Sequence, residues 1–300
     1  MDGIKIGIIG GSGLSQLLGG HEGTRHEVQT PFGSPSDAIL ETQWERLTVL
    51  LLSRHGRGHL LNPSRVPSRA NIFALKQLGC THIIASGAVG SLRQEYAPRD
   101  LVIADQLIDK TQGRPGTFFE SAAVHVEFAD PFCPVLRKVL LEAGKSAPEP
   151  KNVNVHDGGC YVCMGGPAFS TRAESLMHRL WGGDVIGMTA CPEAKLAREA
   201  EIPYALVALV TDYDCWKAKT DAKDAAPEAL LSEIIGHLQA ASGNAMDLIR
   251  RALTLIAAEP ALLADCPAKN ALKLAIWSEK SAIAAEEKDR LAALWGKYFG

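Results

Sequence analysis

Short apolar runs alternate with helical spacings along this chain, and most of the runs end in glycine or small polar residues. Ile4 to Ile9 is apolar and β-branched and feeds Gly10-Gly11-Ser12-Gly13, the pattern of a buried strand entering a glycine loop. Leu47 to Leu52 reads as a second strand that ends at Ser53-Arg54-His55-Gly56. Ser68 to Leu78 has helical spacing and stops at Gly79, a natural helix terminator. Thr81 to Ala85 reads as a strand, followed by a small-residue turn at Ser86-Gly87-Ala88-Val89-Gly90. Leu101 to Asp105 is a further strand, Phe132 to Ala143 a helix, and Val153 to Met164 extended chain. Thr171 and Glu174 have the spacing of a capping box, which predicts a helix running to about Trp181. Pro192 fits the first turn of the next helix, ending near Glu201. Tyr204 to Val210 is a buried strand that delivers Thr211-Asp212-Tyr213-Asp214. From Ala226 the pattern is helical, in at least two pieces broken around Pro260 and Pro267.

This alternation predicts an α/β domain over residues 1–258. Residues 259–300 read as a helical extension packed on the domain or on a partner subunit. The length, 300 residues, permits one large domain or two small ones, and neither a linker nor an internal repeat favours two. The formal net charge of −3 gives no reason to expect nucleic acid, while a local pocket can still be positive. No apolar run approaches a membrane span, and the N-terminus lacks the pattern of a secretory signal. A cytoplasmic protein is therefore expected. Seven cysteines are scattered along the chain, and the Cys160/Cys163 pair has no second ligand pair nearby. Reduced thiols are expected rather than zinc.

The strand ends are where α/β folds place ligands. Gly10-Gly11-Ser12-Gly13 is either an anion-binding loop or a plain tight turn; it matches neither the P-loop nor the dinucleotide fingerprint. Arg54-His55-Gly56-Arg57 offers guanidinium groups and an imidazole that donate to phosphate, unless it is a solvated basic loop. Ser86 to Gly90 permits close approach of either a ligand or a neighbouring element. Asp212 and Asp214 share a face of an extended segment. There one carboxyl can hold a proton while the other is ionised; a helix cap or solvated loop is the alternative.

In order and spacing, these segments resemble the purine nucleoside phosphorylase superfamily, on the branch that cleaves methylthioadenosine. The resemblance runs through Ile8 to Leu14, Thr30 to Asp37, Arg54 to His59, Ala70-Asn71-Ile72 and Gly90-Ser91-Leu92. It continues through Asp130 to Pro134, Gly166 to Glu174, Met188-Thr189 and Thr211 to Trp216. It covers residues 4 to 250 and leaves out the last fifty. It implies a single α/β domain with a mixed sheet flanked by helices, assembled as a homotrimer, with no metal and no organic cofactor. Inorganic phosphate is a co-substrate that attacks C1' of the ribose as adenine leaves, giving 5-methylthioribose 1-phosphate. Ser12, Arg54, His55, Gly87, Ala88 and Thr189 fall on the phosphate site. Phe169, Ser170, Met188, Asp212 and Asp214 fall on the purine and ribose site, with Asp212 as the catalytic acid. His125 falls on the 5' end of a neighbouring subunit's nucleoside.

Three departures bear on this resemblance. The family often carries threonine or asparagine where Gly87 stands, and Gly165 and Ala168 replace larger residues. The stretch between Lys217 and Leu231, which would line the 5' pocket, matches poorly. Three other readings stay open: a broader adenosine or purine nucleoside phosphorylase of the same fold, a hydrolase using water, and a non-catalytic nucleotide-binding protein.

Overall fold

The apolar run at the N-terminus forms the strand it predicts, β1 (Lys5–Gly10), buried from Ile6 onward. A computed structural model describes residues 3–11, 22–146, 153–217 and 227–299. Among these, the further strands are β2 (Thr24–His26), β3 (Ile39–Trp44), β4 (Leu47–Ser53), β5 (His82–Ser91) and β6 (Leu101–Ile103). They continue with β7 (Gln106–Lys110), β8 (Val155–Asp157), β9 (Cys160–Met164), β10 (Val185–Gly187) and β11 (Tyr204–Tyr213). One mixed sheet runs β2-β3-β4-β1-β5-β10-β9-β7, with β11 bridging β5 and β6, and β8 on β6. β1 is parallel to β4 and β5, β11 is parallel to β5, and β10 runs antiparallel to β5.

Helices cover both faces. On one face α1 (Ser68–Gln77) and α4 (Ala190–Glu199) pack through Ile72, Phe73 and Leu196. On the other, α2 (Pro134–Lys145) and α5 (Pro227–Ala258) pack through Leu136, Leu140, Leu248 and Leu253. Side chains of this size each contribute about 1.5–3 kcal/mol when fully buried, so both faces carry a substantial core. The capping box forms as expected. Thr171 accepts from Glu174 N, Glu174 returns the bond to Thr171 N, and α3 follows (Arg172–Leu180). Cys191 is extended, so the regular turn of α4 begins at Pro192.

One expectation is corrected. Ser86 to Gly90 is not a turn: β5 runs straight through to Ser91 because β11 pairs with it over that whole length. Sheet pairing here overrides the weak strand preference of Ser, Gly and Ala. The tail is built of short pieces. Beyond Ala258 it forms 3-10 turns at Pro260–Leu263 and Pro267–Asn270, then the short helices α6 (Ala285–Arg290) and α7 (Ala292–Trp295). Leu272, Leu291, Leu294 and the fully buried Trp295 belong to the same core cluster as Phe73. Glu201 accepts from Leu272 N and from the Tyr298 hydroxyl, which ties the tail to the turn after α4.

The pairing of β5 positions the site. On one flank β1 contacts only His82 to Ala85, and β10 joins only at Gly90 and Ser91. Between them, Ser86 to Val89 has no strand on that side among the described residues, and this opening admits side chains from elsewhere.

Candidate active site

Two groups of residues meet along the opening in β5. The first is built around Arg54, which is only 1% exposed. Its Nε and Nη2 donate to Glu193 Oε2 and Oε1, each at 2.9 Å, and its Nη1 donates to the Ser86 carbonyl at 2.8 Å. Three of the five guanidinium N–H groups are thus spent inside the protein, leaving one on each terminal nitrogen. Nη1 lies 3.8 Å from where a Cβ on Gly11 would stand, just past the end of β1. Burial alone would lower the Arg54 pKa. The Glu193 carboxylate and its hydrogen bonds more than offset that, so the group stays charged.

Next along β5 is Gly87, buried in the strand. A Cβ there would sit 2.9 Å from Thr189 Oγ1 and within 4 Å of nothing else. That hydroxyl is buried and makes no hydrogen bond of normal geometry among the described residues. Thr189 N donates to the Tyr161 hydroxyl at 3.3 Å, which sets the backbone. Ala88 is exposed at the opening. A buried cation, an unpartnered hydroxyl and the unpaired edge of a strand suit an oxyanion.

His55 corrects an expectation. It is buried, its ring stacks on His59 at 4.2 Å, and its Nδ1 is 2.7 Å from the Leu61 carbonyl. A carbonyl only accepts, so Nδ1 carries the proton. Burial, with Arg54 and His59 adding to it against the Leu61 bond, holds its pKa down to about 4. The neutral ring then presents Nε2 as an acceptor, not the expected donor. Arg57 is exposed and not part of this group.

The second group lies three residues further along β5. A Cβ on Gly90 would stand 3.3 Å from Asp214 Cβ, and Asp214 N donates to the Ser91 carbonyl. Asp214 is buried, and its Oδ2 has no hydrogen-bond partner among the described residues. Asp212 sits at a β-bulge, where the register slips between Val210 and Asp212. Its Oδ1 accepts from Thr211 Oγ1 at 2.7 Å. Ser170 meets this segment through its carbonyl, which accepts from the Cys215 thiol at 3.3 Å. Phe169 stands beside it, 85% exposed. Met188 packs over Gly166, whose φ of 61° and contact with the Met188 Sδ leave no room for a side chain. Carboxylates beside an exposed aromatic ring suit a flat heterocycle that bears N–H groups.

Sequence reasoning missed two residues. Glu193 lies 139 positions from Arg54, and Arg114 sits in a loop without a motif. Arg114 donates to the carbonyls of Met188 at 2.6 Å, Cys191 at 2.8 Å and Gly165 at 2.6 Å. It therefore clamps together the segments that carry Met188, Thr189 and Phe169.

His125 occupies a different neighbourhood. It is exposed, its N–H donates to the Ala275 carbonyl, and its ring meets Trp277 at 4.6 Å. Trp277 is itself 71% exposed, and its N–H donates to the Ala123 carbonyl. Ser12 and residues 218–226 of the suspected 5' pocket lie outside the described residues.

Cys160 and Cys163 diverge: Cys163 Sγ accepts from Cys191 N, whereas Cys160 N donates to Asp184. All seven cysteines are free. Among the described residues no group of three His, Cys, Asp or Glu could hold a metal, and no helix is long and apolar enough to cross a membrane.

The profile of the phosphorylase superfamily matches residues 5–254. The chain is 46% identical over 295 residues to S-methyl-5'-thioadenosine phosphorylase of Geobacter sulfurreducens, covering 98% of each chain. It is 46% identical over 301 residues to the Chloroflexus aurantiacus protein of the same name, covering 100% of both. This similarity extends into the last fifty residues, which the sequence resemblance left out. Among solved structures, methylthioadenosine phosphorylase from an antarctic soil metagenomic library superposes with a TM-score of 0.87 at 45% identity, covering 98% of this chain and 99% of that one. Methylthioadenosine phosphorylase from Schistosoma mansoni in complex with tubercidin gives 0.79 at 35% identity, covering 91% and 99%.

Proposed function

The chain belongs to the phosphorylase superfamily, and from that premise we propose that it cleaves S-methyl-5'-thioadenosine with inorganic phosphate, giving adenine and 5-methylthioribose 1-phosphate. One observation carries the reading: the oxyanion group and the heterocycle group stand on one strand, at Ser86-Gly87 and at Gly90. Three residues of strand span about 10 Å, the room a ribose needs between phosphate and base.

Phosphate lies against the two unspent Arg54 N–H groups, the Thr189 hydroxyl and the backbone around Gly87 and Ala88, with Ser12 joining from the glycine loop. His55 Nε2 accepts the P–OH proton of hydrogen phosphate, and this fixes which oxygens face the sugar. The C1'–N9 bond breaks, and its electron pair leaves with the purine. A phosphate oxygen then forms the new bond to C1'. Asp212 supplies a proton to N7 of the leaving base. Asp214 and Asp212 accept from the 6-amino group, and a 6-oxo purine would set acceptor against acceptor. Phe169 and Met188 cover the base and ribose, and Ser170 borders the purine. Positioning and fixed charge drive the reaction; no metal or organic cofactor takes part.

The 5' end is completed by His125 of a neighbouring subunit in a homotrimer. The exposed His125–Trp277 pair supports this, since both rings await a cover. The enzyme serves in the cytoplasm, with its phosphorylase domain in residues 1–258. Comparing methylthioadenosine, adenosine and inosine, each with and without phosphate, tests the reading. Fast, phosphate-dependent release of adenine from methylthioadenosine is the expected result. Equal release without phosphate would make the chain a hydrolase, equal use of adenosine a broader phosphorylase, and no release a binding protein.

A further inference from the structure

We infer that Glu193 is a positioning residue for phosphate: it holds the Arg54 guanidinium at one edge so that the opposite N–H groups face the anion. The inference rests on the phosphorolytic reading above.

Glu193 is 1% exposed, as is the arginine it grips. Both carboxylate oxygens are engaged along one edge of the guanidinium, at Nε and Nη2. Oε1 also accepts from the Tyr204 hydroxyl at 2.7 Å, and this anchors the carboxylate to β11. The third contact, Nη1 to the Ser86 carbonyl, pins the plane of the fork to β5. An arginine side chain has many rotamers, and a planar fork binds an oxyanion well only at a set angle. Two parallel bonds from one carboxylate supply that angle before phosphate arrives. The pairing also leaves the empty site without an uncompensated buried cation, a costly state.

Glu193→Gln tests this. The amide keeps the shape but sets a donor against one of the two N–H groups, so the fork must swing. The phosphate KM should rise at least about tenfold, while the methylthioadenosine KM stays within about twofold. Glu193→Asp, which keeps the charge on a shorter stem, should recover part of the loss. Tyr204→Phe releases only the anchor and should raise the phosphate KM about two- to fivefold. Phosphate should raise the melting temperature of the parent protein and do so much less in Glu193→Gln, a readout independent of turnover.

A merely structural glutamate predicts something else: lower thermal stability and a smaller active fraction, with both KM values unchanged. That result overturns the inference. If Glu193→Gln does not fold, Glu193→Asp and Tyr204→Phe decide the matter by the same KM split. Should the parent protein release adenine equally without phosphate, the underlying reading fails. Should Arg54→Ala raise the phosphate KM while neither the Glu193 nor the Tyr204 variants do so, this inference alone fails.

Discussion

Gly87 is the position where the smallest possible change should cost the most. Adding one methyl, Gly87→Ala, puts a Cβ 2.9 Å from Thr189 Oγ1 and near nothing else. Ordinary contact needs about half an ångström more, so the hydroxyl has to move. Threonine is stiff about χ1, so the move is a change of rotamer that turns the hydroxyl away from the opening. One hydrogen bond to an ionised oxyanion is then lost, worth about 1.5–3 kcal/mol, or roughly ten- to a hundredfold in the phosphate KM. Stability should not fall, because alanine in a strand is favoured over glycine by about 0.5–1 kcal/mol. Steady-state kinetics with phosphate varied at saturating methylthioadenosine measures the effect, and a melting curve provides the control. Thr189→Val removes the same hydroxyl and should show a similar loss. The double variant should be little worse than either single one, since both delete one interaction. Gly87→Thr, which brings a hydroxyl of its own, should lose less than Gly87→Ala. An unchanged phosphate KM in Gly87→Ala, or losses that add in the double variant, would refute the reasoning.

Three further outcomes are expected. Asp212→Asn keeps the shape but loses the acid and gains a donor, so kcat on methylthioadenosine should drop about a hundredfold or more and the gap to 6-oxo nucleosides should narrow; normal cleavage would show that the acid lies elsewhere. His125→Ala and Asp212→Ala, each nearly inactive alone, should regain activity when unfolded and reassembled together, because a closed ring repeats one interface; demonstrably mixed trimers that stay inactive would confine His125 to its own subunit. Stability should climb with pH between about 4 and 6.5, because burial holds His55 and His82 at about 4 and the unfolded chain takes up protons there that the folded one refuses. Glu199, pushed up by burial to about 7, works the other way: above pH 4.5 the unfolded chain loses a proton that the folded one keeps. Glu199→Gln should therefore steepen the rise in melting temperature up to pH 6.5, and an unchanged slope would argue against a buried neutral Glu199.

How much of this was legible in the sequence depended on whether the physics was local. β1, β4, α1 and the capping box at Thr171 announce themselves within a few residues, through apolar periodicity and hydrogen bonds that close over one turn. Glu193 and Arg114 carry no such mark. Their partners lie 139 and 51 to 77 positions away, and a lone charged residue beside a proline or in a loop reads as solvated surface. His55 was recognised as a residue but not in its protonation state, since the Leu61 carbonyl and the burial that set it exist only once the loop is folded. The tail gave a similar difficulty. Its prolines and short apolar stretches signalled helical pieces, while its attachment to Glu201 and to the His125 segment is entirely long-range.

The misreading of Ser86 to Gly90 connects fold to chemistry. By local preference these residues should leave the sheet, and with bulkier side chains they would have been read correctly as strand. Yet the absence of side chains is what the site requires: Gly87 leaves space at Thr189 Oγ1, and Gly90 lets Asp214 approach to 3.3 Å of its vacant Cβ position. β11 supplies the pairing that keeps this weak strand straight, and the departure of β1 before the arrival of β10 keeps its other edge open. A sequence obeys local rules where only the fold is at stake and breaks them where a ligand must enter. In the reaction proposed above the ribose lies at this break, with the oxyanion group on one side and the two carboxylates on the other.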